Sequence, residues 1–109
     1  MLEALFGSIN RERVLLYILA REEGYAREIA RFYKTDLDPI QKQLERLEIG
    51  NILFSRPAGK TILYKLNPRF PFLKELIELL KKILDFYPED IKNLLLYYRK
   101  RPRRKNKSL

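Results

Sequence analysis

The stretch YAREIARFYKTDLDPIQKQLERLEIGNILFSRPAGKTILYKLNP, residues 25–68, decides how this chain is read. Ala26, Ile29, Ala30 and Tyr33 recur at three- and four-residue spacing, which predicts a short helix over 25–33 with one apolar side. Lys34-Thr35-Asp36 then reads as a tight turn. A further helix is expected over 37–49, with Ile40, Leu44 and Leu47 inward and Gln41, Lys42, Gln43, Glu45 and Arg46 outward. Its start has two readings: Asp38 as cap with Pro39 first in the helix and Gln41 at N3, or Asp36 as cap with Pro39 at N3. Gly50-Asn51 tolerates positive φ and ends it. The period then changes. Ile52-Leu53-Phe54-Ser55-Arg56 and Thr61-Ile62-Leu63-Tyr64-Lys65-Leu66 are rich in β-branched and aromatic residues. With Pro57-Ala58-Gly59-Lys60 between them they form a hairpin with a short basic tip.

Upstream, Ser8 and Asn10 are both candidate caps for a helix over 9–22, with Val14, Leu15, Ile18 and Leu19 as its buried stripe and Gly24 as its C-terminal stop. Downstream, Asn67-Pro68 breaks the second strand. A periodic helix follows over 71–87, striped by Leu73, Leu76, Ile77, Leu80, Ile83, Leu84 and Tyr87 and extended by Leu79 and Phe86. Pro88 restarts a last helix over 89–99, in which residues 94–98 are five consecutive apolar side chains. Residues 99–109 are low in complexity and expected to be disordered. The expected organisation is therefore a domain over 1–68, C-terminal helices over 69–98 and a tail over 99–109.

The chain has 109 residues, enough for one domain with a single core, and 46% apolar with 34% charged residues is a globular balance. It has no Cys and no His, which removes disulfides, zinc fingers, thiolate catalysis, His-based triads and the soft ligands of a transition-metal sensor. The carboxylates are scattered without a Gly-rich phosphate loop, so the reading is of a non-enzyme without cofactor or metal. No signal peptide is visible, and the longest apolar run is far short of the ~20 residues a spanning helix needs. The expectation is a soluble cytoplasmic protein.

Lys and Arg total 23 against 14 acids, a net charge of +9 that points to a polyanionic partner. The charge is uneven. Residues 1–98 hold 16 bases against all 14 acids, and the tail supplies seven bases with no acid. Residues 24–66 carry 8 bases against 5 acids.

Three short helices, a hairpin and a long helix is the order of a winged helix-turn-helix, mainly α with a small β-hairpin and here a C-terminal helical extension. Residues 25–68 resemble the DNA-binding domain of ArsR- and MarR-type regulators. Within them REIAR is similar to their second helix, IQKQLERLE to their recognition helix and GKTILYKLN to their wing return strand. The chain is most similar to small winged-helix proteins found beside, or fused to, nucleotidyltransferase-like proteins. Two departures stand out: the turn has Lys34-Thr35-Asp36 in place of the usual small glycine, and Asn51 stands where a glycine commonly ends the recognition helix. The metal-binding Cys and His of some ArsR relatives are absent.

The resemblance implies a transcriptional regulator binding double-stranded DNA, with the 37–49 helix in the major groove. Gln suits adenine, and Lys and Arg suit guanine or phosphate, so Gln41, Lys42, Gln43 and Arg46 are the expected reading residues. Arg56 and Lys60 on the wing, Lys34 in the turn and Arg27 on the preceding helix are expected on the backbone. Arg99, Arg101, Arg103, Arg104 and Lys105 in the tail are candidates for sequence-independent nucleic-acid contact. Surplus apolar surface on the C-terminal helices predicts a homodimer seam. The alternative is a protein-interaction module docking a nucleotidyltransferase-like partner through those helices.

Overall fold

The computed structural model describes residues 1–100, and the side chains of residues 1–96. Six helices and three strands follow in the order α1 (Glu3–Phe6), α2 (Ile9–Arg21), β1 (Gly24–Tyr25), α3 (Ala26–Tyr33), α4 (Leu37–Ile49), β2 (Leu53–Ala58), β3 (Thr61–Leu66), α5 (Leu73–Asp85) and α6 (Glu89–Lys100). The sheet is antiparallel, ordered β1-β3-β2, so β3 is paired along both edges. This is the winged helix-turn-helix expected from the sequence. The tail positions Arg101, Arg103, Arg104 and Lys105, and the side chain of Arg99, lie outside the described residues.

Ser8 caps α2, accepting from the backbone N–H groups of Asn10 and Arg11. The helix is buried around nearly its whole circumference: Val14, Leu15, Leu16, Tyr17, Ile18 and Ala20 are all inaccessible. One stripe was expected, and Leu19, expected inside it, is only half-buried. The reason is that α1, α3, α4, α5, α6 and β3 all pack on α2. Leu80, Ile83, Leu84 and Leu95 from the C-terminal helices join the same core as Ile29, Ile40, Leu44 and Leu53.

Several boundaries differ from expectation for local reasons. Glu22, not Gly24, takes the left-handed conformation that ends α2. Gly24 instead starts β1 opposite Tyr64, and an added Cβ would meet Ile29 and Tyr17 side chains at 3.1 Å. Its missing side chain serves packing. The helix expected over 25–33 accordingly begins at Ala26. Pro57 and Ala58 belong to β2, which leaves a two-residue turn, Gly59-Lys60, with Gly59 at φ 66°. That is the turn length whose first position favours glycine. The helix expected over 71–87 is shorter, Leu73–Asp85, and α6 runs one residue beyond the expected 89–99, to Lys100.

Both ends of α2 bury a charge. Glu12 is fully buried; its carboxylate accepts from the Met1 ammonium at 2.8 Å, the Leu2 N–H and the Tyr87 hydroxyl. At the other end Arg21 donates to the carbonyls of Leu94 at 3.0 Å and Leu95 at 3.3 Å, and to the Tyr17 hydroxyl at 2.7 Å. Its guanidinium also lies 4.6 Å from the Tyr17 ring centre and 4.8 Å from that of Phe32. Arg21 thereby fastens α6 to α2 and α3.

Burial pushes the Glu12 carboxyl upward, but the bonds from the Met1 ammonium, Tyr87 and Leu2 outweigh it and hold the pKa below its ordinary value of 4.5. The same pairing raises the Met1 ammonium above its ordinary 8.0. A lowered carboxylate stabilises the fold above its unfolded pKa and loses that contribution as pH falls through the folded one; the raised ammonium does so in the opposite sense. Stability is therefore expected to hold from about pH 5 to 8 and to fall on either side. Urea melts of Glu12→Gln are expected to show a loss of about 1–3 kcal/mol at pH 7 and a flatter acid limb than wild type.

Candidate nucleic-acid interface

The turn between α3 and α4 sets the angle at which α4 is presented. Lys34 takes a left-handed conformation, φ 55° and ψ 47°, and its N–H bonds back to the Arg31 carbonyl at 3.2 Å. It does the work of the missing glycine. Asp36 holds the N-cap position of α4 and Pro39 is its third residue, which decides between the two starts. Asn51, at φ 64°, is the left-handed residue that closes the helix end, while Gly50 stays at φ −80°.

The face of α4 divides the expected reading residues. Gln41 is partly exposed and Lys42 and Arg46 are exposed. Gln43 is a correction: only 8% exposed, it accepts from Arg11 Nε at 2.8 Å and joins α4 to α2. Ile40, Gln43, Leu44 and Leu47 follow the spacing i, i+3, i+4, i+7, so the amide occupies an inward position. Arg46 stands on another side of the helix, beside a cleft lined with Leu5, Phe6, Arg11, Leu47 and Leu76. Lys42 pairs with Asp38 at 3.5 Å.

The wing is aligned to α4 by two hydrogen bonds. Tyr64 and Ser55 are opposite one another in β3 and β2, and bond to Gln41 and Glu48 respectively. That face of the hairpin therefore meets α4. Arg56 is one residue along from Ser55 and points to the other face by the alternation of a strand, so it does not face α4 with Gln41. Lys60 in the turn is exposed.

An open cleft gathers Tyr25, Arg27, Leu37, Gln41, Lys60 and Ile62. Three expected contacts, from α3, α4 and the wing, thus converge. Leu37 and Ile62 at its mouth are exposed apolar side chains. Sequence reading missed Tyr64: its hydroxyl accepts from Gln41 Nε2 at 3.3 Å, and the same nitrogen donates to Glu45 Oε2 at 3.0 Å. Sequence reading also missed Glu45 as a partner of Gln41, although the i+4 spacing could have shown it; Tyr64 has no local signal. Burial raises the Tyr64 hydroxyl above its ordinary pKa of 10.0, so it is neutral at physiological pH. Over its length α4 carries three acids, Asp38, Glu45 and Glu48, against two bases. Among the described residues no three acidic side chains cluster closely enough to hold a metal ion. No described helix is long and apolar enough to cross a membrane.

A helix-turn-helix with its second helix braced by a two-stranded wing defines the winged-helix class, and comparison with solved structures places the chain there. Reduced HlyU from Vibrio cholerae matches at TM-score 0.58 and 21% identity, over 75% of this chain and 83% of that one. The homodimeric winged helix-turn-helix DNA-binding domain of Mb0332 from Mycobacterium bovis, described as a possible ArsR-family transcriptional regulator, matches at 0.57 and 21%, over 80% and 78%. A MarR mutant from E. coli matches at 0.60 and 16%, over 98% and 75%. The likeness is one of fold. No family model matches the chain, and no curated protein matches it in sequence. The nucleotidyltransferase-like partner of the alternative reading finds no support in these comparisons.

Lys34 offers a direct test of the turn. A left-handed lysine is strained and a glycine is not, whereas alanine carries the same strain. Lys34→Gly is expected to gain about 0.5–1 kcal/mol in urea melts, and Lys34→Ala to gain nothing.

Proposed function

We propose that this chain is a DNA-binding transcriptional regulator acting as a homodimer, with α4 in the major groove and the wing on the flanking backbone. The observation that carries it is the convergence of Arg27, Gln41 and Lys60 from α3, α4 and the wing on one open cleft. Phosphates are met by Arg27, Lys34 and Lys60, bases by Gln41 and Lys42, and Arg46 and Arg56 reach the backbone outside the cleft. The tail adds sequence-independent attraction through Arg99, Arg101, Arg103, Arg104 and Lys105. The C-terminal helices form the dimer seam. Among the described residues, Phe86, 67% exposed at the end of α5, and Leu94, 55% exposed on α6, are uncovered apolar side chains there, as is Phe72 at the start of α5. The description of Mb0332 as a homodimeric DNA-binding domain of the same fold supports both parts of the reading.

Fluorescence titration on the DNA upstream of the protein's own reading frame tests DNA binding. Arg27→Ala and Lys60→Ala are each expected to weaken binding to all sequences alike and to lower the salt slope by about one. Removal of residues 101–109 is expected to lower that slope further, and absence of binding at low salt contradicts the regulator reading. Light scattering after size exclusion is expected to give a dimer at micromolar concentration and a monomer for Phe86→Glu with Leu94→Glu. A strictly monomeric wild type contradicts the seam.

A further inference from the structure

The amide of Gln41 is held in one orientation. Glu45 Oε2 lies 3.0 Å from it and, as a carboxylate, can only accept, so the atom facing Glu45 must be the nitrogen Nε2. The second hydrogen on that nitrogen goes to the Tyr64 oxygen at 3.3 Å. Both donors are thereby occupied. Among the described residues nothing donates to Oε1, and Gln41 lines the cleft beside Arg27 and Lys60.

A glutamine that reads adenine in two-point fashion must donate from Nε2 to N7 while Oε1 accepts from the N6 amino group. The bonds to Glu45 and Tyr64 remove the first half of that pair. We infer that Gln41 reads its base pair as a lone acceptor, through Oε1 to an exocyclic amino group, adenine N6 or cytosine N4, and that Tyr64 and Glu45 are the positioning residues that impose this. The inference rests on the DNA-binding reading of α4 and sharpens it to the chemistry of one contact. Tyr64, buried on the wing strand β3, braces the contact, so wing and recognition helix act on the base as one unit.

Every base pair shows one amino group in the major groove, so sequence enrichment alone does not test this. Atom deletion does. The full chain is first used to select sites from random DNA, and Gln41→Ala identifies the position it reads. At that position the amino base is replaced by its des-amino analogue, purine for adenine or 2-pyrimidinone for cytosine. In a separate duplex the purine of the pair is replaced by its 7-deaza counterpart. For wild type, deletion of the amino group is expected to weaken binding about fivefold or more, and deletion of N7 to leave it unchanged. Tyr64→Phe frees one donor without altering the buried ring, and Glu45→Ala frees the other at an exposed position. Both variants are expected to become sensitive to loss of N7. Equal sensitivity of wild type to both deletions, or a Gln41→Ala variant that changes no position, overturns the inference while the regulator reading stands. Failure to retain any DNA from the random pool at low salt overturns both.

Discussion

Burial of α2 on all sides is the constraint from which the other placements follow. A helix with a single apolar stripe needs one neighbour; α2 buries the consecutive Val14, Leu15, Leu16 and Tyr17 in different directions and needs a shell. Each fully buried aliphatic side chain contributes about 1.5–3 kcal/mol, so withdrawing any one layer of that shell is costly. The arrangement also forces polar solutions where α2 ends inside the protein. Glu12 and Arg21 are both satisfied by groups from distant sequence, and no buried side-chain polar atom among the described residues lacks a partner. In this way α5 and α6 are tied to the same helix that supports α3 and α4.

The parts legible in the sequence are those punctuated locally. The end of α4 is written in Gly50-Asn51 and its start narrowed by Pro39 to Asp36 or Asp38, and both strands of the hairpin are written in their β-branched and aromatic content. The parts that were not legible depend on partners far away in the chain. Two residues, Gly24 and Tyr25, are a strand only because Tyr64 and Leu63 lie opposite, and the four residues of α1 are too few to show a period. In the candidate site, Arg27, Gln41 and Lys60 were nameable as polar residues of suitable chemistry. Their convergence was not, because it depends on the register that puts Tyr64 and Ser55 against α4. Gln43 shows the opposite failure. Its spacing from Ile40 and Leu47 marked it as inward, and its polarity suggested otherwise; Arg11 resolves the conflict by giving the buried amide a partner.

The distribution of charge separates two tasks that are often carried by the same residues. The exposed side of α4 is nearly neutral, with Lys42 neutralised by Asp38 and Glu45 holding Gln41. Positive charge stands around it, on Arg27 and Lys60 at the cleft and on Lys34 in the turn. Phosphate attraction in such an arrangement comes from the periphery and carries no sequence information, while the centre contributes geometry and little net force. On the DNA-binding reading proposed above, affinity depends on the surroundings of α4 and discrimination on that one helix.

The wing faces a further demand. With β3 lying between β1 and β2, β2 is an edge of the sheet along its whole length, and a hairpin with an open edge is a template on which a second copy can add strands. Pro57 sits near the tip of that edge, opposite Ile62, and has no N–H to offer an incoming strand. Arg56 beside it keeps a charge on the outermost part of the ribbon. The proline read from the sequence as part of a turn thus blunts the β2 edge of the wing, where an incoming strand finds no donor.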